Sequence, residues 1–163
     1  MIKKNIKYLF IFITIPFVFC ECSTDDTCRM SRTVVCGATF YLDTLNSKTG
    51  TQVKLKSTID SLWIQGIGID SLLYKKSKLS VISLPLNDFE EESQFKMTIN
   101  TTTDTITVKY KNEIYFLSIE CGNIRTHKID TVFSTNHYID SIAIMNKTVN
   151  TTYVENLQLY HHK

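Results

Sequence analysis

The chain has 163 residues, 43% of them hydrophobic, with 18 lysines and arginines against 16 aspartates and glutamates and a formal charge of +2. Length allows one domain, and the charge is nearly balanced with no Lys/Arg cluster of the kind that marks a nucleic-acid partner, so that partner is excluded. There is no internal repeat, low-complexity tract or linker.

The N-terminus reads as an export signal. Lys3, Lys4 and Lys7 precede an apolar run from Tyr8 to Phe19 broken by Thr14 and Pro16, and then comes Cys20-Glu21-Cys22-Ser23-Thr24-Asp25-Asp26-Thr27-Cys28. The run is short of the roughly 20 residues that a spanning helix needs, so it is expected to be removed rather than retained. Two junctions are open. In one, a cysteine, Cys22 or Cys20, becomes the lipidated first residue, although Glu21 and Phe19 before them are not small; in the other, cleavage releases a soluble protein from Ser23. The expected organisation is a signal peptide over 1–21, a lipidated tether over 22–29 and a β-domain over 30–163. Cleavage before Cys22 leaves 15 basic and 15 acidic residues, so the positive charge belongs to the signal.

In an oxidising compartment the remaining thiols tend to pair. With Cys22 lipidated, Cys28, Cys36 and Cys121 are left, and at most one bridge can form. Cys36 falls on the apolar side of a strand, so Cys28 with Cys121 is the expected pair, worth ~4 kcal/mol for a loop of about 90 residues. Three free thiols are the alternative.

From Thr33 onward the pattern has period two. Val34, Cys36, Ala38, Phe40 and Leu42 form the apolar side of a first strand. A turn over Leu45 to Gly50 leads to a short strand at Gln52 to Leu55. Ser61 to Ile69 is apolar on both sides, with Trp63, Ile64, Ile67 and Ile69 suiting a central strand, and a piece at Ser71 to Tyr74 follows. Lys75, Lys76 and Lys78 mark a turn; Leu79 to Leu86 reads as a strand that Pro85 places at an edge or end. Asn87 to Ser93 is an acidic loop. Three alternating runs, Phe95 to Ile99, Thr105 to Tyr110 and Tyr115 to Cys121, make a meander with turns at Thr101 to Asp104 and Lys111 to Glu113. Weaker strands follow at Arg125 to Phe133, Tyr138 to Met145 and Tyr153 to His161. No window beyond the signal has helical periodicity with a cap and a stop. Nine or so strands with closely spaced turn signals predict an all-β fold, a single antiparallel β-sandwich of immunoglobulin-like type, with a small β-barrel as the alternative.

Motifs that carry chemistry are sparse. Gly66-Ile67-Gly68 lacks the third glycine and the helix of a dinucleotide site and reads as a bulge or close backbone contact. Cys121 and His127 could form a nucleophile pair, against the plainer reading of a bridged or buried cysteine near a surface histidine. His161 and His162 point to opposite faces of a strand and suit a polar strand end better than a metal site. Asp25-Asp26 and Glu90-Glu91-Glu92 lack calcium-loop spacing. No metal and no cofactor is expected. Six aspartates precede a hydroxyl residue and an aliphatic one, placing Thr44, Ser61, Ser71, Thr105, Thr131 and Ser141 as candidate O-glycosylation sites, since the tripeptide is similar to the Bacteroidota acceptor. The structural alternative is an Asx turn, a strand start and a core residue in succession. Asn100, Asn146 and Asn150 head Asn-x-Thr sequons.

Cys22 through Asp25-Asp26-Thr27-Cys28, Phe40-Tyr41-Leu42-Asp43, Leu84-Pro85-Leu86 and Glu120-Cys121-Gly122 together resemble a family of small exported lipoproteins of Bacteroidota, classed as a domain of unknown function. The resemblance implies a cell-envelope location, Cys22 as the lipid site and a β-sandwich, and it brings no activity. The expected role is that of a non-enzymatic lipoprotein, held at the outer or inner membrane by its lipid, that binds or scaffolds an envelope protein or glycan. A soluble periplasmic protein is the alternative location, and an exported hydrolase whose site is assembled only in the fold is the alternative function.

Overall fold

The computed structural model describes residues 32–45, 49–119 and 121–162. The expected signal segment 1–21 and tether 22–29, with Cys20, Cys22, Cys28 and the Asp25-Asp26 pair, lie outside the described residues. The chain folds as a β-sandwich of two mostly antiparallel sheets, neither closed into a barrel. Its strands are β1 (Cys36–Leu45), β2 (Gln52–Lys56), β3 (Ile59–Gly66), β4 (Leu72–Leu79), β5 (Val81–Leu84), β6 (Glu92–Ile99), β7 (Thr102–Ser118), β8 (Gly122–Ser134), β9 (Ser141–Ile144), β10 (Thr148–Val149) and β11 (Glu155–His161). One sheet runs β2-β1-β11-β9, with β5 also paired to β1; the other runs β10-β8-β7-β6-β3-β4.

The period-two pattern places the core. Cys36, Ala38, Phe40, Ile82, Leu84, Leu157 and Leu159 from the first sheet meet Leu62, Ile64, Met97, Ile99, Ile106 and Val108 from the second, all buried. Each large aliphatic or aromatic side chain fully withdrawn from water contributes roughly 1.5–3 kcal/mol, which fixes which face of each strand turns inward, because a slip of one residue would expose the whole set.

Four expectations are corrected. Two separate strands at Thr105 to Tyr110 and Tyr115 to Cys121 are one continuous strand, β7, because Lys111 to Glu113 stay in register with Lys128 to Thr126 of β8. The turn before β7 is Asn100-Thr101, with Asn100 at φ 54°, a left-handed conformation that Asn tolerates; Asp104, placed in that turn by the sequence, sits inside the strand. The lysine-rich stretch is no turn but part of β4. Leu62 pairs with Ser77 and Ile64 with Tyr74, so β4 carries an extra residue there and Lys76 turns to φ 46°. Finally, β3 ends at Gly66, and Ile67 and Ile69 are exposed around a turn in which Gly68 has φ 85°.

The first and last strands are neighbours. β1 pairs with β11 in parallel, and the register jumps from Gly37 opposite Glu155 to Ala38 opposite Leu157, which leaves Asn156 as the bulged residue. Its buried side chain replaces the missing ladder bonds: Oδ1 accepts from Gly37 N at 3.0 Å, and Nδ2 donates to the carbonyls of Asn146 at 3.0 Å and Thr148 at 2.9 Å. Gly37 is required by this contact, because a Cβ there would lie 2.3 Å from the Val154 carbonyl oxygen. Substitution Gly37→Ala should lower stability by about 2–4 kcal/mol through displacement of backbone that cannot give way; equilibrium urea unfolding measures it, and an unchanged midpoint would show that the bulge relaxes freely.

Candidate binding site

β6 and β7 pair only as far as Glu92 opposite Lys109, whereas β7 stays paired with β8 to Ser118. Beyond Lys109 the β7–β8 hairpin is an arm with one strand edge lacking a neighbouring strand. The segment 85–91 covers its beginning, at Tyr110 and Asn112. Pro85 ends β5, Leu86 is buried, and the chain then lies along the open edge, with Tyr110 N donating to Glu91 O at 2.9 Å.

Side chains on the core-facing phase of β7 hold this segment. Tyr110 Oη donates to Asn87 O at 3.0 Å, accepts from Asn87 N at 2.7 Å and lies 2.6 Å from Ser93 Oγ. Asn112 Nδ2 donates to the carbonyls of Glu90 at 2.8 Å and Asp88 at 3.1 Å, and Asn112 Oδ1 is 2.7 Å from His127 Nδ1. That oxygen is an acceptor, so the His127 proton sits on Nδ1 and Nε2 faces Asp88 Oδ1 at 3.6 Å. His127 is 1% exposed and packs edge-on against Tyr110; burial lowers its pKa from the usual histidine value, opposed by the Asp88 charge. The surface histidine expected beside Cys121 is therefore corrected: the 127 position falls on the inward phase opposite Asn112. Cys121 is half-buried and is not a free thiol. Among the described residues the free cysteine is Cys36, with no exposed surface.

These polar groups build a stiff rim rather than a reaction centre. His127 offers no nitrogen to solvent, and Ser93, Tyr110 and Asn112 spend their donors and acceptors on the segment 85–91. Open clefts flank the rim. One, of about 520 Å³, lies between the rim and the arm and is lined by Arg32, Val34, Leu86, Asp88, Ile114 and Arg125 among others. The other, of about 720 Å³, lies between the rim and the Gly66–Ile69 turn, with Phe89 and Glu90 on its wall. Phe89 is 86% exposed, and the Arg125 guanidinium lies 5.3 Å from its ring centre. The arm carries further exposed apolar side chains, Ile114, Tyr115, Phe116 and Ile119.

A second polar cluster ties a loop on the far part of β7. Asp104 is withdrawn from water, yet its Oδ1 accepts from Thr135 Oγ1 at 2.6 Å and His137 N at 2.8 Å, and its Oδ2 from Tyr138 N at 2.8 Å and Ile139 N at 3.0 Å. Burial alone would raise the carboxyl pKa, but these hydrogen bonds to the charged form outweigh it and hold it at about 2. Neither cluster was expected from sequence. The signal was present as phase, since Asp104, Tyr110 and Asn112 share the inward register of Ile106 and Val108.

The remaining expected positions are scattered. Ser71 and Ser141 are exposed, whereas Thr44, Ser61, Thr105 and Thr131 are half-buried within strands. Of their aspartates, Asp60 pairs with Lys78 at 2.8 Å and Asp104 is the buried staple just described, so the Asx-turn reading fails at both. Asn146 and Asn150 instead supply Asx turns, each accepting from the backbone N two residues on at 2.9 Å. His161 and His162 do face opposite ways, but His161 is buried rather than a polar end; it stacks on Tyr138 and reaches Ser57 Oγ at 3.0 Å. Glu90 and Glu91 are exposed beside the rim. Among the described residues no group of three or more His, Cys, Asp or Glu converges as a metal would require.

Residues 61–161 match the family of unknown function DUF6452, more than half of the chain. The chain belongs to that family. No curated protein and no solved structure matches it. The DUF6452 match begins inside β3 and runs to the end of β11, so it takes in the rim, the arm, Asp104 and Asn156 and leaves out β1, β2 and Arg32.

The two clusters yield distinct expectations. The folded-state pKa of Asp104 lies below its ordinary 3.8, so its contribution is complete above that pH and is lost as pH falls toward about 2. Asp104→Ala, which strands three backbone N–H groups, should cost about 3 kcal/mol at pH 7, with the gap to the parent closing as pH falls toward 2; urea melts across that range decide, and a gap constant with pH would contradict the assignment. Burial pushes the Cys36 thiol up to about 12. Thiol-reactive probes at pH 8 should therefore modify Cys36 only as fast as the protein unfolds, read as mass added to its peptide; rapid stoichiometric labelling would contradict it.

Proposed function

We propose that this DUF6452 protein is a cell-envelope lipoprotein, anchored through Cys22, whose sandwich binds another envelope component at the cleft between the rim and the β7–β8 arm. The observation that carries the binding role is a set of apolar side chains, all more than half exposed, on the rim and the arm: Ile114 on the wall of this cleft, Phe89 on that of the second, and Tyr115, Phe116 and Ile119 along the arm. Large apolar side chains left exposed on neighbouring segments are costly in water and are kept where something covers them. The anchor rests on the signal-like N-terminus and on the resemblance of the junction.

A bridge between Cys28 and Cys121 belongs to the same reading. With Cys22 lipidated, the burial of the free Cys36 in the core supports these two as the pair. In sequence Cys28 stands four residues before Arg32, and Cys121 four before Arg125. Candidate O-glycans at Ser71 and Ser141, the two exposed residues of the six, would lie off the residues that line the cleft.

Intact mass of the mature protein from the membrane and soluble fractions of its host tests the anchor and bridge. The expected species is membrane-bound, begins at Cys22, carries added acyl mass and gains the two hydrogens of one bridge on reduction. A soluble species beginning at Ser23 would remove the anchor. For the binding role, a photocrosslinking residue at Phe116 should give a discrete adduct in cells and one at exposed Lys54 none; adducts at both or at neither would overturn it.

A further inference from the structure

Arginine is scarce in this chain. Only Arg29, Arg32 and Arg125 occur, against fifteen lysines. The two that the structure describes line the same cleft, one on the lead-in to β1 and the other on β8, and among the described residues neither guanidinium meets a carboxylate. Lys78 and Lys109 are paired with Asp60 and Glu92 elsewhere. A guanidinium presents a planar fork of donors that fits carboxylate, sulfate or phosphate oxygens, and two left unpaired in one concavity form a place for an oxyanion. Asp88 contributes the one negative charge to the same wall, so the cleft stays net positive.

The remaining wall narrows the ligand. Where the rim meets β7, Tyr110 N already donates to Glu91 O, so an extended peptide finds no open ladder at that position. What the cleft offers is side chains: the Asp88 carboxylate and the Asn123 amide as partners for hydroxyls, with the exposed Phe89 ring, on the wall of the second cleft, beside Arg125. Arg125 lies against Phe89, which sets the charged fork beside an apolar platform. We infer that this cleft binds an acidic saccharide, its oxyanion between Arg32 and Arg125 and its sugar ring against Phe89. The inference rests on the binding role proposed above and names its ligand.

The test is titration of the folded protein, followed by two-dimensional amide NMR, with a galacturonate hexasaccharide, a heparin-derived hexasaccharide, neutral maltohexaose and hexaglutamate. One or both acidic saccharides should bind with shifts confined to residues around Arg125, Asn123 and Phe89, and the preferred one identifies carboxylate or sulfate as the oxyanion. Affinity should fall about tenfold in R32Q and in R125Q, and less in R125K, which keeps the charge but not the fork. It should also weaken as salt is raised from low to physiological strength and above. These side chains are exposed, and unchanged spectra of the free variants establish that they fold. Equal binding of maltohexaose, tighter binding of hexaglutamate, unaltered affinity in both glutamine variants, or no acidic saccharide bound at millimolar concentration would each overturn the inference. A Phe116 adduct in cells together with no saccharide binding would leave the binding role standing and remove the acidic ligand alone.

Discussion

A strand of seventeen residues beside one of eight leaves half of an edge without a partner, and the functional end of this sandwich follows from that mismatch. Backbone donors and acceptors along such an edge must be satisfied or left to water and to other chains. Here the chain turns its own segment 85–91 onto the edge and pins it with Tyr110 and Asn112. The rim exists because the edge needed covering, and the clefts exist because the rim stands between the arm and the Gly66–Ile69 turn.

The same economy recurs at three polar side chains, two buried and one half-buried. Asn112, Asp104 and Asn156 each take the place of a missing run of ladder bonds and tie an irregular segment to a regular strand. A buried polar group that finds all its partners costs little, while one that loses a partner costs the full desolvation of what is left behind. Each therefore fixes its segment in one conformation, and an apolar residue of similar size in its place would leave several backbone groups stranded. The chain places its irregular backbone where these anchors allow it.

Much of this was legible in the residues. The alternation of Phe95 to Ile99 and Thr105 to Tyr110 locates strands because a half-buried sheet admits no other period, and the sandwich follows from strands of that kind without helices to cover them. Lys75 to Lys78 misled because a run of lysines resembles a turn, whereas it sits on the exposed face of β4 around a bulge. Asp104 misled because aspartate is common in turns and its inward phase was outweighed. Arg32 and Arg125 are ninety-three positions apart, and no local pattern states that they share a wall; only the scarcity of arginine hinted at a special use. Strand order was equally out of reach, since period two fixes the buried face of a strand and says nothing of its neighbour.

The parallel pairing of β1 with β11 has a further consequence, in time rather than space. Gly37 N donates to Asn156 Oδ1, 119 positions later, and β11 lies between β1 and β9 in its sheet. A chain delivered amino end first can assemble the β6–β7–β8 meander from local contacts as it emerges, but the other sheet, beyond β1, β2 and β5, must wait for nearly the last residue to be completed. Closing so long a loop is slow. Until then β1, though β2 and β5 can already pair with it, lacks its β11 neighbour, and Leu157 and Leu159 are missing from the core beside Ala38 and Phe40; in this interval the protein is most exposed to aggregation.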